Sequence, residues 1–273
     1  MHQRGLRGAA PMSTVNTAAI IPARLASTRY PGKPLIEIEG LPMIEHVRRR
    51  TLLCKGFSDV IVATCDQKIH DVVSKYDGKV VMTSDKHIMA SDRVAEVAST
   101  LDCTHVVNVQ GDEVLVMPDD LDKMIRAMEQ SPEIPFWNAT APIDKEEELA
   151  DSAIVKCVVS RTEKILYSAR QFQQLKLNTP FEPVRKILGI LGYRKDALIQ
   201  FNQMPRTPLE STQSIDQSRI IENDYPLMCV PFKSGYPGIN DAREEKIVRV
   251  ILTNDLDQKT ILGRILSKQD FHS

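Results

Sequence analysis

The chain has 273 residues and a net charge of -1, because 35 lysines and arginines nearly balance 36 aspartates and glutamates. This balance excludes the broad basic field of a nucleic-acid-binding or membrane-attracted protein, so the predicted partner is a small molecule, with neither nucleic acid nor a membrane. Its five cysteines form no C-x-x-C pair, which argues against a zinc site and a disulfide framework and favours a reducing, cytoplasmic location.

The first 130 residues alternate short apolar runs with segments of helical periodicity, after a start that lacks the apolar core of a secretory signal. Strands are predicted at 18–21, 59–64, 79–82 and 104–109, and helices at 43–54, 69–76 and 92–100. Ser91 is expected to cap the third helix. Strands that are apolar at nearly every position indicate a mostly parallel sheet covered on both faces, with its ligand at the carboxyl ends of the strands.

The pattern changes from residue 136 onward. Strands at 154–160 and 187–193 and a helix at 195–203 suggest a smaller antiparallel lobe. A strand at 227–232 and a helix at 243–252 return to α/β character. We expect the lobe to supply an acceptor site or a dimer contact.

A loop rich in small and basic residues follows the first predicted strand. It places three small residues among three cations (Ala23, Ser27 and Gly32; Arg24, Arg29 and Lys33). Backbone N–H groups of such a loop can wrap a triphosphate while the cations offset its charge. It lacks the G-x-x-x-x-G-K-[ST] pattern of ATPases, and on composition alone an exposed basic loop is an equal alternative.

A second motif, residues 106–113 (VVNVQGDE), places Asp112 just beyond a buried strand. Mg²⁺ prefers one or two carboxylates together with substrate phosphates, so a single aspartate at a strand end is enough for a metal site. Asp112 is therefore the best metal candidate in the sequence. A simple turn acid is the alternative interpretation.

Both motifs resemble those of the 3-deoxy-manno-octulosonate cytidylyltransferase family. Residues 21–35 meet every fixed position of I-P-A-R-x-x-S-T-R-x-P-G-K-P-L, and residues 108–113 match N-V-Q-G-D-E-P up to Val114, which replaces the proline. The resemblance implies a three-layer α/β/α, Rossmann-like fold of the nucleotide-diphospho-sugar transferase type with a dimerisation lobe. It also implies Mg²⁺-dependent joining of CMP from CTP to the sugar acid, pyrophosphate release, and a homodimer.

The resemblance assigns three catalytic residues, Arg24, Lys33 and Asp112, in which the two cations steady the phosphates and the aspartate holds Mg²⁺. It assigns a wider set to nucleotide binding: Ala23, Arg24, Ser27, Lys33, Thr64, Ala90, Ser91, Arg93 and Gln110. Residues 87–93 (HIMASDR) depart from the family's H-x-S-G-T-[DE]-R, with Ala90 in place of glycine. A transferase that uses another nucleotide is therefore an alternative.

The acceptor half matches the family less closely. Residues 165–170, 189–194 and 215–219 are similar to A-L-Y-F-S-R, G-I-Y-G-Y-R and L-E-Q-L-R, which implies six acceptor contacts: Gln110, Arg170, Ile187, Leu191, Asp216 and Gln217. Ile187 and Leu191 stand where the family has a histidine and a tyrosine. Apolar replacements leave substrate hydroxyls unpaired, so a different ulosonic acid, a deoxy or amino variant, or a smaller acid remains an alternative acceptor.

The second metal position also departs from the family. Asn240 stands where the family has a metal-sharing aspartate, and Asp241 follows it. An asparagine carbonyl can ligate Mg²⁺ without supplying charge, so a catalytically weakened, nucleotide-binding relative with a regulatory or scaffold role is a third alternative.

The expected domain organisation is a single domain over residues 17–273. Its parts are a nucleotide-binding half (17–135), an acceptor and dimer lobe (136–226) and a return to the core (227–273). Residues 1–16 are expected to be a disordered lead or an expression remnant, with Met12 as an alternative start.

Overall fold

The computed structural model describes residues 14–26, 29–172 and 183–267. The described strands are β1 (Thr17–Ala23), β2 (Glu37–Ile38), β3 (Leu41–Pro42), β4 (Asp59–Thr64), β5 (Val80–Met82), β6 (His105–Val109), β7 (Phe136–Pro142), β8 (Lys156–Val159), β9 (Ile165–Ala169), β10 (Val184–Arg194) and β11 (Leu227–Pro231). The described helices are α1 (Met43–Leu53), α2 (Gln67–Lys75), α3 (Ala90–Thr100), α4 (Pro118–Gln130), α5 (Glu147–Ala150), α6 (Lys195–Gln203), α7 (Pro208–Gln213), α8 (Gln217–Glu222), α9 (Ala242–Asn254) and α10 (Leu256–Leu266).

A nine-stranded sheet runs through the molecule in the order β11-β7-β10-β6-β1-β4-β5, with β8 and β9 joined to it through β10. The pairs of β1 with β4 and β6, of β4 with β5, and of β7 with β11 are parallel. Parallel neighbours need crossover connections, and helices α1, α2 and α3 provide them between β1, β4, β5 and β6.

Helices cover both faces of this sheet, as the side-chain alternation of β1 shows. Ala19 and Ile21 belong to one buried cluster, whereas Ala18 and Ile20 belong to another. Successive side chains of a strand point to opposite faces, so the sheet has a core on each side. Helices α1, α2 and α4 contribute to the first core, and α3, α6 and α8 to the second. The predicted three-layer α/β/α fold is confirmed.

The antiparallel strands of the second half are continuous with the main sheet. Strand β10 is antiparallel to β7 along both halves, to β8 along its first half and to β6 along its second. Strand β9 extends this part by pairing with β8. A separate small sheet consists of the β2–β3 hairpin. The long β10 strand therefore links the central sheet to the antiparallel part.

The structure differs from the sequence-based prediction in the cap of α3 and in several elements that were not predicted. Helix α3 begins at Ala90 with Met89 at the capping position, so Ser91 is not the cap; Asp92 accepts the Met89 N–H instead, at 2.9 Å. The prediction had no counterpart for strands β2, β3, β7 and β9 or for helices α4, α5, α7, α8 and α10. None of the described helices is both long and apolar enough to span a membrane.

Candidate active site

Two neighbouring cavities lie where β1 and β6 end. The larger, with a volume of about 1090 Å³, extends from the loop after β6 to β10 and the start of α9. The smaller, of about 100 Å³, lies between the end of β1 and the start of α3, and Met89 and Ala90 line both. This is the edge of the sheet at which a parallel α/β fold binds its ligands.

The loop after β1 is fixed by hydrogen bonds to the neighbouring strand ends. The Leu25 N–H donates to the Asp66 carboxylate at 2.8 Å, and the Asp66 N–H donates to the Thr64 hydroxyl at 3.1 Å. Gly32 has a φ of 72°, a left-handed conformation that glycine adopts without strain. Arg24 is exposed beside the smaller cavity. Ser27, which we predict to bind nucleotide, lies outside the described residues.

Lys33 and Asp112 form an ion pair that joins the two motifs. The Lys33 ammonium lies 3.0 Å from the Asp112 carboxylate, and both side chains remain partly accessible, at 15% and 22%. Gly111 allows the loop after β6 to pass close to the end of β1, since a Cβ at that position would lie 2.8 Å from the Pro22 carbonyl oxygen. The site thus holds a carboxylate that lines the larger cavity with an ammonium beside it.

Glu113, which the sequence analysis did not select, also lines the larger cavity. Its carboxylate accepts the Gly189 N–H at 2.8 Å. Burial, followed by the charge of Asp112, raises the pKa of Glu113 to about 7. The signal available in the sequence was the pairing of two acids directly after a buried strand.

The two candidates for the second metal position differ in what they contact. Asn240 lines the larger cavity, and its side-chain oxygen accepts from Arg29 at 3.4 Å. Asp241 instead caps α9 by accepting the N–H groups of Arg243 and Glu244 at 2.8 and 3.1 Å. Its hydrogen bond with the Arg243 side chain lowers its pKa to about 2. The Ile239 N–H donates to the Asp112 carbonyl at 3.2 Å, which fixes this segment beside Asp112.

The smaller cavity gathers four of the predicted nucleotide-binding residues: Ala23, Arg24, Ala90 and Arg93. The Arg93 guanidinium donates to the Thr83 hydroxyl and to the Ser84 carbonyl, the latter at 3.3 Å. The other two predicted residues of this region are buried. Thr64 and Ser91 line neither cavity.

The predicted acceptor residues all line the larger cavity: Gln110, Arg170, Ile187, Leu191, Asp216 and Gln217. Arg170 already donates to three backbone carbonyls, those of Gln213, Ser152 and Ser214, at 2.8, 3.0 and 3.3 Å. A guanidinium has five N–H donors, so two remain for a ligand.

Two further acceptor residues are held by their surroundings. The Gln217 amide donates to the side-chain oxygen of Asn138 at 2.7 Å. Burial, followed by the charge of Glu210, raises the pKa of Asp216 to about 6. Asn138, fully buried on β7, is a second residue that the sequence analysis missed, since a polar side chain in a core strand gives no periodic signal.

Comparison with known proteins identifies the family. The sequence model described as Cytidylyltransferase matches residues 18–229. The 3-deoxy-manno-octulosonate cytidylyltransferase of Syntrophotalea carbinolica is 36% identical over 245 residues, which cover 86% of this chain and 97% of that protein. The enzyme of the same name from Escherichia coli is 32% identical over 237 residues, covering 87% and 96%.

Solved structures agree with these relatives. A CMP:2-keto-3-deoxy-manno-octonic acid synthetase complexed with CTP superimposes with a TM-score of 0.83 at 31% identity, over 88% of this chain and 100% of that one. The 4-diphosphocytidyl-2C-methyl-D-erythritol synthase of Anaerococcus prevotii, at a TM-score of 0.60 and 12% identity, shares the fold alone; it covers 89% of this chain and 100% of its own. The chain belongs to the 3-deoxy-manno-octulosonate cytidylyltransferase family and is a nucleotidyltransferase.

Proposed function

We propose that the protein transfers CMP from CTP to 3-deoxy-manno-octulosonate or a closely related 2-keto-3-deoxy sugar acid and releases pyrophosphate. The observation that carries this proposal is the Lys33–Asp112 pair. It joins the basic loop, suited to a triphosphate, to a cavity of about 1090 Å³ that offers Gln110 and Arg170 to an acid. The relatives and the CTP-bound neighbour support the same pair of substrates.

In the proposed mechanism, the chain positions two substrates and offsets charge. Arg24 and Lys33 steady the triphosphate, while Gln110 and Arg170 orient the carboxylate of the sugar acid. The anomeric hydroxyl gives its proton to water and attacks the α-phosphorus in line, so that its oxygen–phosphorus bond forms as the bond to pyrophosphate breaks. Catalysis of this kind depends on positioning and charge stabilisation, without a covalent intermediate on the protein.

The site also suits Mg²⁺. Asp112 would hold the ion, with the Asn240 carbonyl as a second ligand, and the two side chains line the same cavity. No cluster of three or more histidine, cysteine or acidic residues able to hold a metal occurs among the described residues. Mg²⁺ needs only one or two protein carboxylates beside phosphate oxygens, so the donor set fits. Bound there, the ion would offset the phosphate charge and lower the pKa of the acceptor hydroxyl.

A second candidate acceptor is a sugar acid with fewer hydroxyl groups. Ile187 and Leu191 both line the larger cavity and offer no hydrogen bond. A deoxy variant would leave fewer hydroxyls unpaired against them, an effect of about 1–3 kcal/mol for each group.

We further infer a cytoplasmic homodimer that associates through its antiparallel strands. Leu166 and Tyr167, on the outer strand β9, expose 50% and 44% of their surfaces, and apolar exposure on an outer strand favours association. Light scattering after chromatography tests this: the native chain should have twice the mass of its protomer, and Tyr167→Glu should halve it. We also propose that the chain divides at residues 136 and 227 into a nucleotide-binding half, an acceptor and dimer lobe, and a segment that returns to the core.

The decisive assay follows pyrophosphate release with CTP, Mg²⁺ and a panel of sugar acids. We expect release with 3-deoxy-manno-octulosonate or a deoxy relative and its loss with EDTA. Release with another acid alone would identify a specialised acceptor. Preference for UTP or ATP would refute the cytidine assignment. An absence of pyrophosphate release with every acid would favour a nucleotide-binding role without turnover.

A further inference from the structure

Strand β10 contains a bulge where it passes the larger cavity, which we call the acceptor cavity because the predicted acceptor residues line it. Its pairing with β7 is regular up to Ile187, opposite Thr140, and resumes at Leu191, opposite Asn138. Three residues of β10 (188–190) therefore face one residue of β7. Bulges redirect the side chains that flank them. Here the flanking residues are Ile187 and Leu191, the two apolar residues that replace polar groups of the family.

The backbone polar groups of this bulge are hydrogen-bonded to two side chains and one backbone N–H from other segments. The Leu188 carbonyl accepts from Asn138 at 3.0 Å. The Gly189 carbonyl accepts the Gln110 N–H at 2.9 Å, and the Gly189 N–H donates to the Glu113 carboxylate at 2.8 Å. Both partners of Gly189 thus come from the loop that carries Asp112.

The fit between Glu113 and Gly189 is also steric. A Cβ at position 189 would lie 2.5 Å from the Glu113 oxygen and 3.1 Å from the Gln110 side chain. Only glycine allows the carboxylate to come this close to the strand. The contact therefore depends on both residues and links the Asp112 loop to the wall of the acceptor cavity.

We propose that Glu113 is a positioning residue for the sugar acid, which acts by holding the β10 bulge in place beside Asp112. The carboxylate fixes Gly189, Gly189 fixes the course of β10 between Ile187 and Leu191, and these two side chains set the shape of the acceptor wall. This inference rests on the proposed function.

The test compares steady-state kinetics of Glu113→Ala and Glu113→Gln, with each substrate varied in turn. Loss of the hydrogen bond between Glu113 and Gly189 should raise the KM for the sugar acid about tenfold in Glu113→Ala. The loop after β1 that we assign to the phosphates (residues 24–35) is called the phosphate loop. The KM for CTP should change less than about twofold, because no hydrogen bond or ion pair joins the described residues of this loop to Glu113 or Gly189. Glu113→Gln keeps an oxygen acceptor and should restore most of the loss.

Gly189→Ala is a second, independent test of the contact between Glu113 and Gly189. It should raise the sugar-acid KM by a similar factor, and combining it with Glu113→Ala should add little, because both changes break the same contact. Ile265→Ala, on α10, controls for destabilisation, since Ile265 is fully buried and no member of its hydrophobic cluster lines the cavity. It should lower the thermal midpoint and leave both KM values unchanged.

The outcomes are distinct. Equal loss in Glu113→Gln and Glu113→Ala, equal changes in both KM values, or additive effects of the Gly189 and Glu113 changes would each overturn the positioning role. Inactivity of the native protein with every acid would instead refute the proposed function.

Discussion

The phosphate loop and the acceptor wall use their polar side chains in different ways. Arg24 is exposed beside the smaller cavity, and Lys33 contacts the metal candidate Asp112. On the acceptor wall, Arg170 is bound to three backbone carbonyls and Gln217 to Asn138. The phosphate loop therefore presents charge directly, whereas the acceptor wall presents a shape that hydrogen bonds to neighbouring segments maintain. Changes in the first should act through charge, and changes in the second through position.

The largest effect should come from Asp112→Asn. This change removes the carboxylate that we assign to Mg²⁺ and leaves Lys33 without its ionic partner. We expect turnover, measured as pyrophosphate release, to fall by about a hundredfold or more. Asp119→Asn is the matched control, because Asp119 is an exposed acid in the first turn of α4. A comparable loss in the control, or full activity in Asp112→Asn, would contradict the assignment.

The phosphate loop should respond next. Removing the Arg24 charge by Arg24→Ala should raise the KM for CTP about tenfold or more, and the effect should shrink as salt screens the interaction. Lys55→Ala, at an exposed lysine outside both cavities, should leave the KM unchanged. The KM for CTP, measured at low and high ionic strength, distinguishes Arg24→Ala from the Lys55→Ala control. An increase in the KM for the sugar acid alone would contradict the assignment of Arg24 to the triphosphate.

Separate substitutions at two adjacent residues can identify the second ligand of the metal. Asn240 lines the cavity, whereas Asp241 is engaged as the cap of α9. Asn240→Asp should lower the Mg²⁺ concentration for half-maximal activity by about tenfold, because it adds a charged ligand. Asp241→Asn should change little, since asparagine caps helices as well as aspartate does. If the Asp241 variant alone loses Mg²⁺ affinity, Asp241 is the ligand.

The smallest expected effect is one of stability. Burial raises the pKa of Asp216 from 3.8 to about 6, so its charged form is disfavoured in the folded protein and the wild type loses stability as pH rises through this interval. Asp216→Asn avoids this loss. Its free energy of unfolding in urea should equal that of the wild type near pH 4 and exceed it by about 1–2 kcal/mol above pH 7.

Asp224→Asn is the control for this titration, because Asp224 is exposed. Its stability should follow the wild type at every pH. An Asp216→Asn advantage that is equal at pH 4 and pH 8 would show that packing, and not charge, separates the variant from the wild type.

The strands and helices with strong periodicity could be predicted from the sequence, and the bulge could not. Strand β4 and helix α6 coincide with the predicted segments, since apolar patterns determine which faces are buried. Helix α4 had usable signals that were missed, with Pro118 at its start and acids in its first turn. The β10 bulge depends on contacts with side chains from distant segments, such as Asn138 and Glu113.

The same distinction applies to the site. Lys33 and Asp112 could be paired because each follows a strand of the same parallel sheet, and strand ends converge. The engagement of Arg170 could not be predicted, since its carbonyl partners Gln213 and Ser214 lie more than forty residues along the chain. Local motifs identify the charged end, whereas the acceptor wall requires the folded arrangement.

Phosphorus NMR of the reaction mixture tests the central claim most directly. With CTP, Mg²⁺ and 3-deoxy-manno-octulosonate, attack at the α-phosphorus predicts one new phosphodiester signal that grows in equal amount with pyrophosphate. Formation of CDP, of inorganic phosphate alone, or of no product with any sugar acid would contradict the proposed transfer.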